Sequence, residues 1–128
     1  MICCMLRIPL QAQNYFTCFK SDTSPKLALT VEWDEKTEKA IFVTYKGQSE
    51  KIPLNYIKES FPAKGSATFM TVYTEKYQGK LTGTYIFTHS GNQDYIKYIR
   101  KKDNKVFNFT IDLDLSVEGE GYRKTPCY

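Results

Sequence analysis

Residues 107–117 read FNFTIDLDLSV, and the period of that stretch decides the fold. Phe107, Phe109, Ile111, Leu113, Leu115 and Val117 alternate with Asn108, Thr110, Asp112, Asp114 and Ser116. Alternation with period two puts the apolar side chains on one face of an extended strand and the polar ones on the other. A helix would need apolar residues three and four apart. The stretch therefore predicts a long antiparallel strand with one side buried and one side wet.

The same period runs upstream. Leu81, Gly83, Tyr85 and Phe87 share a face, with Thr82, Thr84 and Thr88 opposite. Leu27, Leu29, Val31 and Trp33 alternate with Ala28, Thr30, Glu32 and Asp34. A charged turn over 34–39 leads to a strand over 40–45, and a second turn at 46–49 leads to a short strand at 50–54. Pro53 lacks an N–H, so that strand should lie at an edge or end quickly. Residues 55–63, NYIKESFPA, predict one helical turn capped by Asn55 and closed by Pro62. Strands resume over 66–73, 81–89 and 94–100, separated by turns near Gly79 and at 89–94, and Lys102-Asp103-Asn104-Lys105 turns into the last strand. The expected fold is all-β: a single antiparallel meander closed into a small seven- to eight-stranded barrel or sandwich. Closure removes edges that such aromatic strands would otherwise expose to other chains.

Composition agrees. The chain has 128 residues, 41% hydrophobic, with ten Tyr, eight Phe and one Trp; it suits one core rather than two. No apolar run reaches the roughly 18 residues of a membrane helix. Residues 1–13, MICCMLRIPLQAQ, differ from the rest and read as the remnant of a signal peptide, leaving 14–128 as a single β-domain. The plainer alternative for them is a first strand or an irregular N-terminus. Without Cys3 and Cys4 the domain keeps Cys18 and Cys127, one near each end. In a secreted or periplasmic protein these predict one disulfide; the alternative is two buried thiols.

Net charge is +4, or +3 without Arg7 of the leader-like segment. This is too mild to indicate nucleic acid. Lys97, Arg100, Lys101, Lys102 and Lys105 form the one basic patch, either a solvated hairpin tip or a surface for an anionic partner.

Catalysis finds little support in these residues. His89 is the single histidine, and Ser90 beside it on a strand would point the other way. Asp112 and Asp114 read as the wet face of the last strand rather than as an acid–base pair. The absence of a CxxC, a phosphate loop or a calcium loop leaves no cofactor or metal expected. Asn108-Phe109-Thr110 matches a glycosylation sequon that arises often by chance. What remains is binding. The polar knot His89-Ser90-Gly91-Asn92-Gln93-Asp94 interrupts two strands, and His89, Ser90, Gly91, Asn92 and Tyr95 suit a protein-contact loop. The expected function is a small exported, non-enzymatic protein acting on another protein, inhibitor- or immunity-like. The alternative is a lipocalin-like carrier of a small apolar ligand in the barrel.

Tyr15-Phe16-Thr17-Cys18 after a signal-like segment, Ser90-Gly91 shortly before Tyr95, and the late Cys127 give the chain a resemblance to the periplasmic C-type lysozyme inhibitors. That resemblance implies a small β-barrel tied by a terminal disulfide. It also implies a loop entering the lysozyme cleft, with Ser90 offered to the lysozyme carboxylates and Gly91 and Tyr95 shaping the loop. The chain differs from the pattern in carrying Asn92-Gln93-Asp94 before Tyr95 and no lysine near Phe107-Asn108-Phe109. With the basic patch beside the loop, a basic lysozyme would be repelled.

Overall fold

The computed structural model describes residues 13–61 and 67–128. The signal-like segment and Pro62 lie outside the described residues, Gln13 apart. Eight antiparallel strands follow one another around a closed barrel. They are β1 (Tyr15–Ser21), β2 (Ala28–Trp33), β3 (Ala40–Tyr45), β4 (Ile52–Ser60), β5 (Phe69–Tyr77), β6 (Lys80–Ser90), β7 (Gln93–Arg100) and β8 (Val106–Ile111). Each pairs with its sequence neighbour, and β8 closes onto β1 through Phe19↔Ile111, Lys20↔Thr110 and Ser21↔Phe109. The meander is a barrel of eight strands, not a sandwich.

Turn chemistry explains the tightest hairpins. Gln78-Gly79 joins β5 to β6 with both residues at positive φ, the two-residue loop whose twist matches its strands. Gly91-Asn92 joins β6 to β7 with Gly91 at φ +64°. The core takes the inward members of the alternating runs: Phe19, Leu29, Val31, Val43, Tyr73, Tyr85, Phe87, Ile96 and Phe109.

Two elements depart from the alternation. The run 107–117 stops being strand at Asp112, and Leu113–Ser116 form a single helical turn, α1. Asp112 caps it: its carboxylate accepts from the Leu115 N–H at 3.2 Å. The motif DLDLS satisfies strand alternation and a capped turn equally, and it is the capped turn that forms, with Ser116 reaching back to the open edge of β1. The polypeptide then covers the outside of β1 and β2. Ser116 and Arg123 take up the β1 edge, and β9 (Val117–Glu118) and β10 (Gly121–Tyr122) form a small hairpin beside it. Ala28 and Thr30, expected on a wet face, are therefore buried. Cys18, on the same outer face, is bonded to Cys127 as expected. The 109-residue separation makes this a long-loop crosslink, worth about 4–5 kcal/mol of unfolded-state entropy.

The second departure is 55–60. No helical turn forms; these residues continue β4, which pairs with β5 from Leu54↔Glu75 to Ser60↔Met70 across a bulge. Against β3 the same strand makes only two pairs, Phe42↔Pro53 and Val43↔Ile52. Pro53 is not at an edge but interrupts an interior seam, where its missing N–H leaves the ladder short. Beyond this seam β3 and β4 separate.

Candidate functional site: the barrel mouth

In an antiparallel meander alternate turns fall at opposite ends. The β2–β3 and β6–β7 turns share one end with Tyr15 and the close of β4. The β5–β6 and β7–β8 turns share the other. The end with the β6–β7 turn is open, and a cavity of about 500 Å³ enters the barrel there.

Its geometry follows from the parted β3–β4 seam. The Ala40 N–H, left without a partner on β4, donates to the Tyr73 hydroxyl at 3.0 Å across the opening. Thr37, Glu38 and Lys39 line one lip, and Tyr56 and Glu59 the other. The floor is aromatic. Phe87 packs edge-on against Trp33 at 5.6 Å and against Tyr73 at 5.0 Å. One wall is a three-ring stack, with Tyr15 between Trp33 at 6.0 Å and Tyr122 at 5.6 Å, nearly parallel to both. The Trp33 indole N–H is satisfied by Thr17 Oγ1 at 2.8 Å, which fixes the ring plane.

Charge in the mouth is uneven. Glu38, Glu59 and Asp94 line it against the one ammonium of Lys39, whose Nζ sits 4.7 Å over the Tyr56 ring. Asp94 accepts a 2.5 Å hydrogen bond from His89 Nδ1 across the last pairs of the β6–β7 hairpin. Burial, and then the Glu38 charge, push the Tyr15 hydroxyl up to about 12. Desolvation followed by Asp94 raises Tyr122, and desolvation raises Tyr73 with Glu59 adding to it.

The residues expected in a contact loop separate here. His89 and Tyr95 line the mouth, while Ser90, Gly91 and Asn92 are exposed at the rim. Ser90 Oγ meets Thr68 Oγ1 at 2.9 Å, on the other face from His89. The structure does not place the basic patch beside this loop. Lys101, Lys102 and Lys105 belong to the β7–β8 turn at the far end, and Lys97 is exposed midway along β7. The Arg100 guanidinium makes two bonds to Asp103, at 3.0 and 2.8 Å, and these hold the Asp103 carboxyl at about 2. Lys80, Leu81, Thr82, Arg100, Lys101 and Lys102 border a shallow open depression there.

Between the two ends lies a polar plug that the sequence reading did not single out. Glu75 is buried and accepts from Thr82 at 2.7 Å, Tyr98 at 2.8 Å and Tyr85 at 2.9 Å, while Tyr85 and Tyr45 share a 2.7 Å bond. Its alternation on β5 marks Glu75 as inward, which is the one signal available. The lining residues Tyr15, Trp33, Glu38, Tyr56, Glu59 and Tyr122 were also missed as a group. Each is ordinary in its own strand or turn, and only barrel closure brings them together.

Among the described residues no cluster of His, Cys, Asp and Glu could hold a metal ion, and no helix is long and apolar enough to cross a membrane. Comparison of the chain with protein-family models, curated proteins and solved structures finds no match.

Proposed function

We propose that the chain is a non-enzymatic binding protein whose ligand enters the mouth of the barrel. The cavity carries this reading. Its volume of about 500 Å³ lies within the roughly 300–1,000 Å³ of small-ligand sites, and it combines aromatic walls with a few convergent polar groups. A barrel filled by its own side chains would have favoured a pure loop-contact protein. No serine or cysteine lines the mouth among the described residues, which supports binding over nucleophilic chemistry at the His89–Asp94 pair. The Cys18–Cys127 disulfide supports a secreted or periplasmic setting. The test is amide and side-chain NMR during titration with a panel of small aromatic fragments. Shifts gathered around Trp33, Tyr56 and Tyr73 are expected; silence across the panel, or shifts confined to the far end, would sink the reading.

A second reading stays in view because the exposed tip Ser90-Gly91-Asn92 stands on the rim of the same mouth. There it would contact a protein, in the inhibitor-like manner implied by the resemblance to C-type lysozyme inhibitors. The Lys101–Lys105 turn lies at the opposite end, so it does not face a partner at this loop. Inhibition of a C-type lysozyme by the purified protein is the assay, and no inhibition at micromolar excess removes this reading.

A further inference from the structure

We propose that the mouth of the barrel takes an organic ammonium ion, seated against the rings of Tyr56, Tyr73 and Trp33 and neutralised by Glu38 and Glu59. The inference rests on the reading that a ligand enters the mouth, and it names the ligand's chemistry.

Charge complementarity comes first. Glu38, Glu59 and Asp94 line the mouth against the ammonium of Lys39; Asp94 is already bonded to His89, so Glu38 and Glu59 carry the unbalanced charge that repels an anionic ligand. A wholly apolar ligand gains nothing from the exposed Glu38 and Glu59 carboxylates. A cation gains on both counts. Its attraction to ring faces adds to the carboxylate term when the site is partly desolvated.

The chain itself displays the same chemistry. Lys39 places its ammonium 4.7 Å from the centre of the Tyr56 ring, and Lys124 places another 5.7 Å from that of Tyr15. One aromatic wall of the mouth, Tyr56, thus already holds a cationic nitrogen, while Lys124 approaches Tyr15 from outside the lining. The upward displacement of the Tyr15 hydroxyl, where Glu38 acts behind burial, reports the same negative field. Lys39 acts as an internal competitor, occupying a ring that the ligand would otherwise use.

Trp33 is the only tryptophan in the chain and lies in the cavity wall, so its fluorescence reports occupancy directly. The experiment titrates the intact protein with benzyltrimethylammonium, benzyl alcohol and benzoate at equal ionic strength, with calorimetry in parallel. The cation is expected to bind at least about tenfold more tightly than the alcohol, and benzoate most weakly. Glu59→Gln should reduce the preference for the cation over the alcohol about three- to tenfold, and Lys39→Met should increase it by a similar factor. Neither residue is buried, so the fold tolerates both changes. A further arm with N-acetyl-lysine N-methylamide separates sources. Tighter binding than benzyltrimethylammonium assigns the site to a side chain of a partner protein, and weaker binding assigns it to a free molecule. Equal affinity for cation and alcohol overturns the ammonium inference while leaving the mouth a ligand site. Silence with every probe, alongside silence of the fragment panel, overturns both.

Discussion

Gly83 illustrates how closely single residues fit inside this barrel. It sits on the inward face of β6, and a Cβ built there would lie 2.3 to 2.6 Å from the ring and hydroxyl of Tyr98. The Tyr98 ring cannot simply swing away. It packs against Tyr85 with ring centres 4.5 Å apart, tilted by 33°, and its hydroxyl is one of three donors to the buried Glu75 carboxylate. Gly83→Ala should therefore either strain the ring or break the Tyr98–Glu75 bond, costing about 2–3 kcal/mol. Urea unfolding would show this as a lower midpoint at unchanged slope. A loss under about 0.5 kcal/mol would mean the plug repacks freely. Alternation along Leu81–Phe87 made Gly83 legible as an inward position. That it accommodates a tyrosine from the neighbouring strand was not legible, because cross-strand register is set only once the barrel closes.

At the scale of elements, the least regular part of the barrel is the β8–β1 closure. Only three residue pairs join these strands before the chain leaves at Asp112. The edge of β1 is completed piecemeal: the Asp112 N–H donates to the Cys18 carbonyl at 2.7 Å, the Cys18 N–H donates to Ser116 Oγ at 2.8 Å, and the Phe16 N–H donates to the Arg123 carbonyl at 2.9 Å. Helix α1 thus substitutes for the missing half of β8, and fully buried Ser116 is the contact that does so through a side chain. Ser116→Ala would leave the Cys18 N–H unsatisfied and should cost about 1–2 kcal/mol. Hydrogen exchange at Cys18 checks the cause: faster exchange is expected there, with β4–β5 amides unchanged, and equal protection in the variant would refute the clasp. Sequence periodicity identified seven of the eight strands, β2 to β8, because period two survives any register; it missed β1, whose residues YFTCFKS do not alternate cleanly between apolar and polar. It misread 112–117 and 55–60 for one physical reason. In both segments local preference was ambiguous, and the neighbouring strand's need for partners made the choice.

For the whole molecule, closure separates two ends with different chemistry, and neither end was visible along the chain. Trp33, Tyr56 and Tyr122 are far apart in sequence and meet only at the mouth. Conversely, Ser90 and Lys102 are near in sequence and lie at opposite ends, because one strand of eight residues separates their turns. Between the ends, a set of phenols is held neutral by burial, which gives the molecule an alkaline limit. Desolvation pushes Tyr45 up to about 12, only partly offset by its hydrogen bond with Tyr85, and raises Tyr98 and Tyr85 further, with Glu75 adding to both. In the unfolded chain these groups ionise near 10. Below that value both states hold the protons and the stability is fully present. Above it the unfolded state releases protons that the folded state keeps, so stability falls until the folded phenols ionise in turn. The urea midpoint should therefore be level up to about pH 9 and decline steadily above about pH 10. Tyrosinate absorbance should develop in two stages, with the exposed phenols first and the buried set appearing together with unfolding. Tyr45→Phe removes one of the buried phenols and should make the decline shallower. A midpoint that stays level through about pH 11, or a single tyrosinate transition near 10 in the folded protein, would mean that the plug is open to water.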